Sequence, residues 1–357
     1  MFNVRSVPAL VFALVLVMLP SVAAAQAPAA PLPKVLVIGT GGTIAGVQDR
    51  PGTLDGYRAG EVPVNQIVAG VPEVARFAEI ESEQFLNTAS GNILPEHWLS
   101  LSKRVNQLLR DRRDLAGIVV THGTDRMEET AFFLYLTVKS DRPVVFVGAQ
   151  HPATGISPDG PANLLAAVRV AAAPQSRGKG VTIVMDQRIL SARESRKLYL
   201  RFGGFSTGEM GMLGVVAPDG PTYFFAPLRR QGLATEFDVD AIDTLPKVEL
   251  VYSYSGGDGP LVADDTRGVV VATTGYAPGE RVPFDAIRRA GTVLVQTFPT
   301  GEHVPGVAVR PATLQTDAAP PIVQAQHLLP QKCRILLMLA LTRTNDPWEV
   351  QRIFAEY

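Results

Sequence analysis

The chain has 357 residues, of which 46% are hydrophobic and 19% charged, so it suits one large or two moderate globular domains with a substantial core. Its formal net charge is −1, and no basic run contains interleaved aromatic residues. The chain therefore lacks the usual sequence signature of a nucleic-acid-binding protein, and composition and charge argue against that class.

The N-terminal residues have the pattern of a secretory signal. An apolar run over 7–19 follows one early cation, and small side chains lead up to Ala25. The run is shorter than the ~20 residues that a membrane-spanning helix needs, which favours a peptide cleaved after Ala25 over an uncleaved anchor. We expect a signal peptide over 1–25, a disordered lead-in over 26–33 and a periplasmic mature protein without a membrane anchor.

Short apolar runs then alternate with helical patterns. Four runs rich in β-branched residues are predicted to be buried parallel strands, over 34–40, 115–123, 142–149 and 180–186. Three helices are predicted between them, over 95–112, 126–139 and 159–172. The alternation predicts a larger N-terminal α/β domain over 34–225, built on a mostly parallel, doubly wound sheet.

A second strand–helix series follows a polar, turn-rich segment at 226–246, which we interpret as a linker. Strands are predicted over 247–254, 267–275 and 291–298, and helices around 282–290 and 329–342. We therefore expect a smaller C-terminal α/β domain over 247–357.

The single cysteine, Cys333, lies in an apolar helical pattern and is expected to be a buried thiol.

The loop after the first strand is rich in glycine. A dinucleotide fingerprint would place its third glycine where Ile44 stands, and no Gly-Lys-Ser/Thr follows to grip a phosphate. The loop is better interpreted as a tight turn that presents a hydroxyl, from Thr40 or Thr43, at the top of the sheet. A plain turn with a buried threonine is the alternative.

Two later loops carry polar residues after predicted strands. Thr124 or Asp125 is placed either to cap the following helix or to act at a site, and we expect His122 to support that loop by hydrogen bonding. Lys197 stands in an arginine-rich stretch, which indicates either a solvated basic face or a lysine tuned by a carboxylate or hydroxyl. Spacing alone does not choose between these alternatives.

Several common catalytic motifs are missing. The sequence has no C-x-x-C, no H-E-x-x-H and no G-x-S-x-G, and its five histidines are scattered. We therefore expect no metal centre and no cofactor.

Taken together, the loops resemble those of bacterial type II L-asparaginases and glutaminase-asparaginases. The resemblance is carried by segments at 40–46 (TGGTIAG), 119–134 (VVTHGTDRMEETAFFL), 142–168, 192–197 (ARESRK) and 330–357. It implies a two-domain asparaginase-like fold and a homotetramer, a dimer of intimate dimers with active sites between subunits. It also implies cofactor-free hydrolysis of L-asparagine to L-aspartate and ammonia through an acyl-enzyme.

The resemblance assigns catalytic roles residue by residue. Thr43 matches the nucleophilic threonine, and Tyr57 matches a tyrosine on a mobile lid that helps to activate it. Thr124, Asp125 and Lys197 match the second threonine and its acid and lysine partners. Sequence alone does not establish which threonine attacks first, and the resemblance points to Thr43.

The same resemblance assigns substrate recognition. Ser90 matches the serine that holds the substrate α-carboxylate, and Asp125 would also bind the α-ammonium group. Gly91 and Thr124 complete the implied substrate-binding set.

Three departures from the family pattern affect the expected specificity. Gly91 replaces a glutamine that contacts substrate, which should weaken binding and depress glutaminase activity more than asparaginase activity. Pro278 stands where an asparagine of the partner subunit commonly reaches the site. The segment 300–321 is longer than the family loop that supplies an acid for the substrate ammonium, and neither Glu302 nor Asp317 aligns with that acid.

Two other functions stay open. One is a related amidohydrolase with broadened or shifted specificity, toward L-glutamine or D-asparagine. The other is a non-catalytic periplasmic amino-acid-binding protein, against which the joint presence of Thr43, Thr124, Asp125 and Lys197 argues.

Overall fold

The computed structural model describes residues 31–50, 56–260, 262–301 and 320–357. The predicted signal peptide, most of the lead-in and the acids Glu302 and Asp317 lie outside the described residues. The strands in chain order are β1 (Lys34–Gly41), β2 (Val47–Gln48), β3 (Tyr57–Arg58), β4 (Glu79–Thr88), β5 (Leu115–Thr121), β6 (Val144–Val147), β7 (Val181–Met185), β8 (Arg188–Ser191), β9 (Arg196–Lys197), β10 (Phe205–Ser206), β11 (Gly214–Ala217), β12 (Gly220–Tyr223), β13 (Val248–Tyr252), β14 (Gly268–Ala272), β15 (Val293–Thr297) and β16 (Val323–Gln324). The α-helices are α1 (Val64–Ala69), α2 (Pro95–Asp111), α3 (Met127–Thr137), α4 (Gly160–Ala172), α5 (Arg281–Arg289), α6 (Pro330–Ala340) and α7 (Pro347–Glu356).

Eight strands form the larger sheet, in the order β12-β11-β8-β7-β6-β5-β1-β4. From β7 to β4 all neighbours pair in parallel, whereas β8, β11 and β12 extend the sheet in antiparallel fashion. The four predicted apolar runs are β1, β5, β6 and β7, which confirms the mostly parallel sheet. The sequence does not predict β4, because it lies at the edge of the sheet and its charged side chains interrupt the apolar pattern.

Both faces of this sheet are covered, which confirms the doubly wound arrangement. Alternate residues of β1 point to opposite faces: Leu36 and Ile38 pack with α2 and α3, while Val35 and Val37 pack with α4. Every residue of α3 is buried, because this helix lies between the larger sheet and α6. From Ala131 to Leu136 every side chain of this helix is hydrophobic, as such a position requires.

The smaller sheet has the order β13-β14-β15-β16 and is parallel throughout. Helix α6 packs on one face of it and Phe284 of α5 on the other. The segment 226–246, predicted as a linker, contributes buried side chains to the core, among them Phe237 and Val239. The limits of the two domains at residues 225 and 247 stay predictions.

Cys333 is fully buried in α6, as predicted, and burial raises the pKa of its thiol to about 12. The thiol is therefore protonated and unreactive at neutral pH. Among the described helices, none combines the length and apolarity of a membrane span.

Candidate active site

The predicted site residues gather at the carboxyl ends of three neighbouring strands. Strand β1 has β4 on one side and β5 on the other, so the chain changes direction across the sheet at this point. In open α/β sheets, ligands bind at such a switch point. The loop after β1 carries Thr43, the loop after β4 carries Ser90, and the loop after β5 carries Thr124 and Asp125.

Glycines let the first and third of these loops touch. Gly41 and Gly42 have φ of 103° and 83°, a region that L side chains seldom adopt. A Cβ on Gly42 would lie 2.2 Å from the Cα of Gly123, so backbone contacts backbone there. The turn therefore sets Thr43, at the start of a one-turn 3₁₀ helix, beside the loop that carries Thr124.

Of the two candidate hydroxyls in the first loop, Thr40 has a structural role. Its Oγ1 donates to the carbonyl of Thr121 at 2.8 Å and joins the ends of β1 and β5. Thr43 is only 6% exposed, and its Oγ1 lies 2.8 Å from the phenol oxygen of Tyr57. Tyr57 itself is half exposed on the small hairpin of β2 and β3.

Thr124, Asp125 and Lys197 form a hydrogen-bonded group. Lys197 Nζ donates to Thr124 Oγ1 at 2.7 Å and to Asp125 Oδ1 at 2.5 Å. The Lys197 side chain is 11% exposed and that of Asp125 71% exposed. Helix α3 has Arg126 as its N-cap with no side-chain cap, so neither Thr124 nor Asp125 caps the helix. Lys197 likewise does not belong to a solvated basic face.

Ser90 lies under the same loops. It is buried, and its Oγ accepts a hydrogen bond from the backbone N–H of Arg126 at 3.3 Å. Its side chain packs against Gly123. The next residue, Gly91, is exposed, and a Cβ there would have no atom within 4 Å. The position after Ser90 is therefore open. Pro278 is exposed in the loop after β14, at the start of a one-turn 3₁₀ helix.

His122 is fully buried, and its Nδ1 lies 2.7 Å from the carbonyl of Gly123. Because a carbonyl only accepts, Nδ1 is the nitrogen that carries the hydrogen. Burial lowers the pKa of His122 to about 4, so the ring is neutral at pH 7. As predicted, His122 supports the loop by hydrogen bonding.

The sequence patterns did not point to Glu128, a buried residue of α3. Its Oε2 accepts the backbone N–H of Lys197 at 2.6 Å, and its Oε1 accepts from Gln331 Nε2 at 2.5 Å. The sequence did contain one signal: two adjacent acids, Glu128 and Glu129, stand in the first turn of a helix that continues as a hydrophobic stretch. A carboxylate that is buried in such a helix needs hydrogen-bond partners.

The donor set fits acyl transfer. Within the described ranges, no three His, Cys, Asp or Glu side chains come together as metal ligands. The site instead offers two threonine hydroxyls, a phenol, an amine and a carboxylate, the groups that activate a hydroxyl nucleophile and move its proton.

Comparison with known proteins gives consistent matches. One family model, described as asparaginase, N-terminal, matches residues 34–228, and a second, described as glutaminase/asparaginase C-terminal domain, matches residues 247–354. A Bacillus subtilis (strain 168) protein named L-asparaginase 2 is 41% identical over 336 residues, covering 91% of this chain and 87% of the relative. A Haemophilus influenzae protein named probable L-asparaginase periplasmic is 36% identical, covering 92% of this chain and 94% of the relative. The crystal structure of a probable cytoplasmic L-asparaginase from Campylobacter jejuni has a TM-score of 0.84 at 36% identity, covering 91% of this chain and 100% of that chain.

Proposed function

The chain belongs to the asparaginase family, and on that premise we propose that it hydrolyses L-asparagine to L-aspartate and ammonia. The observation that carries the proposal is the pair of hydrogen bonds from Lys197 Nζ to Thr124 and Asp125. An amide is a poor electrophile, so its hydrolysis needs an activated nucleophile and controlled proton transfer. The Thr43–Tyr57 pair supplies the nucleophile and the group that takes its proton, and the hydrogen-bonded group of Thr124, Asp125 and Lys197 supplies further control of proton transfer.

In the proposed first step, Thr43 Oγ1 attacks the side-chain carbonyl carbon of asparagine. Tyr57 takes the proton of Thr43 and passes its own proton to the amide nitrogen, a transfer that the 2.8 Å contact between the two oxygens supports. The C–N bond breaks and ammonia leaves, so Thr43 is left as an aspartyl ester.

In the proposed second step, a water hydrolyses that ester. Thr124 Oγ1, which accepts from Lys197 Nζ, orients the water; the water oxygen bonds to the ester carbon, and one proton of the water passes to Thr43 Oγ1 as the C–O bond to Thr43 breaks, which restores the threonine hydroxyl and releases L-aspartate. Asp125 holds the lysine and pairs with the substrate α-ammonium, and Ser90 binds the α-carboxylate. Proton transfer by positioned side chains accelerates such steps by about 10²–10⁴-fold.

Ammonia release from L-asparagine by the mature protein tests the proposal. Thr43→Ala and Thr124→Val should each lower kcat by at least about 10²-fold while circular dichroism stays that of the wild type. Absence of turnover at millimolar L-asparagine would refute the proposed activity. Near-normal turnover in either variant would remove that threonine from the mechanism.

The open position at Gly91 favours one second candidate, an amidohydrolase with broadened or shifted specificity. Without a side chain after Ser90, a substrate of the opposite configuration meets no steric barrier at that point. Comparison of kcat/KM for L-asparagine, L-glutamine and D-asparagine separates the two functions. A preference for either of the last two substrates would replace the first proposal with this one.

We also infer a homotetramer built as a dimer of intimate dimers. The hairpin of β9 and β10, which carries Lys197, exposes Leu198, Tyr199, Leu200 and Phe202 at its tip. Exposed apolar clusters of this kind are typical of protein–protein contacts. Sedimentation velocity should give a tetramer, and Leu200→Asp should yield smaller species. A monomeric wild type at micromolar concentration would contradict the inference.

Finally, we propose export to the periplasm with removal of residues 1–25. One relative is named periplasmic and the solved structure is named cytoplasmic, so the assignment rests on the N-terminal sequence pattern. The mature protein should be found in the periplasmic fraction and begin at Gln26. An unprocessed N-terminus in the cytoplasm would contradict the proposal.

A further inference from the structure

The segment that carries Lys197 is attached to helix α6 by a lysine that the proposed reaction does not use. Lys332 is fully buried in the first turn of α6. Its Nζ donates to the carbonyls of Ala192 at 2.9 Å, Arg193 at 2.8 Å and Ser195 at 2.5 Å. An ammonium has three N–H donors, so one side chain fixes the direction of three carbonyls just before Lys197.

Glu128 forms a second attachment to the same segment. One of its oxygens accepts the backbone N–H of Lys197 itself, and the other accepts from Gln331, the residue beside Lys332. Glu128 lies in α3, directly after the Thr124 loop, and Gln331 in α6. The backbone of Lys197 is therefore held between the helix of the larger sheet and the helix of the smaller one.

Stability alone does not account for these groups. Burial lowers the pKa of Lys332 to about 8, and the negative charge of Glu128 opposes that effect. Buried ions cost desolvation energy, and apolar residues of similar volume often stabilise a core equally well. Apolar residues cannot, however, orient three carbonyls and one amide of a neighbouring segment.

We propose that Lys332, Glu128 and Gln331 are positioning residues, which hold segment 192–197 so that Lys197 Nζ lies between Thr124 and Asp125. None of the three acts on the substrate in the proposed mechanism. The kinetic consequence rests on the proposed function, whereas the positional claim does not. Part of the positioning of Lys197 thus comes from α6, more than 130 residues away in sequence.

Kinetics of Glu128 variants test the consequence for catalysis. Glu128→Leu removes both hydrogen bonds, and kcat for L-asparagine should fall by about 10–10²-fold with little change in KM, because displacement of a catalytic group by about 1 Å is enough for such a loss. Glu128→Gln should keep most of kcat, since its amide oxygen still accepts from Lys197 and Gln331 can turn its own amide oxygen toward the new NH₂. Equal losses in both variants would overturn the proposal.

Met338→Ala is the matched control for general destabilisation. Met338 is also buried in α6 but lies six residues beyond Lys332. Its truncation should lower Tm and leave kcat unchanged. If Met338→Ala lowers kcat as much as Glu128→Leu does at a similar Tm, the effect is structural and the proposal fails.

Backbone hydrogen exchange tests the positional claim without catalysis. In Lys332→Met and in Glu128→Leu, amides of a peptide covering 192–197 should exchange faster, while those of β6 keep the wild-type rate. Should Lys332→Met not fold, Lys332→Met combined with Glu128→Gln removes both buried charges and is expected to give the same result. Unchanged exchange at 192–197 would overturn the inference. A wild type that does not hydrolyse L-asparagine would refute only the proposed function, and exchange would then decide the inference alone.

Discussion

Gly42 and Gly123 are in direct backbone contact, and no side chain fits between them. A Cβ on Gly42 would lie 2.2 Å from the Cα of Gly123, and Gly42 has a φ of 83°. This contact brings the loop of Thr43 against the loop of Thr124. Gly41 and Gly42 therefore form the turn after β1, and Gly42 also allows this loop to approach the loop of Gly123.

Gly42→Ala should disrupt both stability and catalysis. The strained backbone costs about 1–3 kcal/mol, and relief of the clash must move Thr43 away from its neighbours. We expect a lower Tm and a kcat reduced by about 10²-fold. Gly70→Ala is the matched control, because Gly70 has a φ of −71° and a Cβ there would meet nothing closer than 3.4 Å. Wild-type kcat in Gly42→Ala would show that the contact does not position Thr43.

Tyr57→Phe isolates the phenol at the Thr43 hydroxyl. The variant removes one hydroxyl from a half-exposed ring, so Tm should change little. If Tyr57 relays the proton of Thr43, kcat should fall by about 10²-fold with a smaller effect on KM. Tyr254→Phe, at an exposed tyrosine of the loop after β13, controls for loss of a phenol as such. A kcat within about twofold of the wild type would exclude Tyr57 from the relay.

The order of strands and helices around the site could be predicted because it depends on local patterns. Strand β1 contains an apolar run rich in β-branched residues, and α2 repeats apolar residues at helical spacing. Strand β4 was not predicted for the opposite reason. It is an edge strand that keeps charged side chains in solvent, so the alternation of apolar and polar residues along it is weak.

The contacts within the site were harder to predict. Lys197 reaches Thr124 across 73 positions, because tertiary contacts of the β9–β10 hairpin and the loop before it bring the two side chains together. Sequence spacing therefore could not decide whether Lys197 belongs to a solvated basic face or is tuned by a carboxylate or hydroxyl. The role of Lys332 could not be predicted from the sequence, because a lysine in an apolar helix gives no indication of which distant carbonyls accept its hydrogen bonds.

Gly91→Gln tests whether the open position after Ser90 determines specificity. A side chain at 91 has room, since a Cβ there would have no atom within 4 Å, so the fold and Tm should be unchanged. An added amide that contacts substrate should lower KM for L-asparagine and raise kcat/KM for L-glutamine by a larger factor. Gly91→Ala adds a Cβ without hydrogen-bonding groups and serves as the control. Equal effects of both substitutions would show that the position acts through backbone rigidity and not through substrate contact.

His122 gives the protein a specific dependence of stability on pH. Its pKa in the folded state is about 4, below the usual 6.5, because burial disfavours the charged ring. Above pH 6.5 the ring is neutral in both states, and its contribution to the free energy of unfolding is fully present. As pH falls from 6.5 toward 4, only the unfolded state binds the proton, so stability decreases by up to about 3 kcal/mol.

His122→Asn should remove this dependence. The Asn side-chain amide can replace the Nδ1–H donor to the Gly123 carbonyl but does not titrate. Urea unfolding at about pH 7 and about pH 4.5 should show a smaller loss of stability in the variant than in the wild type, even if the variant is less stable at neutral pH. His151→Asn, at a half-buried histidine, is the control and should keep the wild-type difference. An equal loss in the wild type and His122→Asn would mean that other groups carry the acid sensitivity.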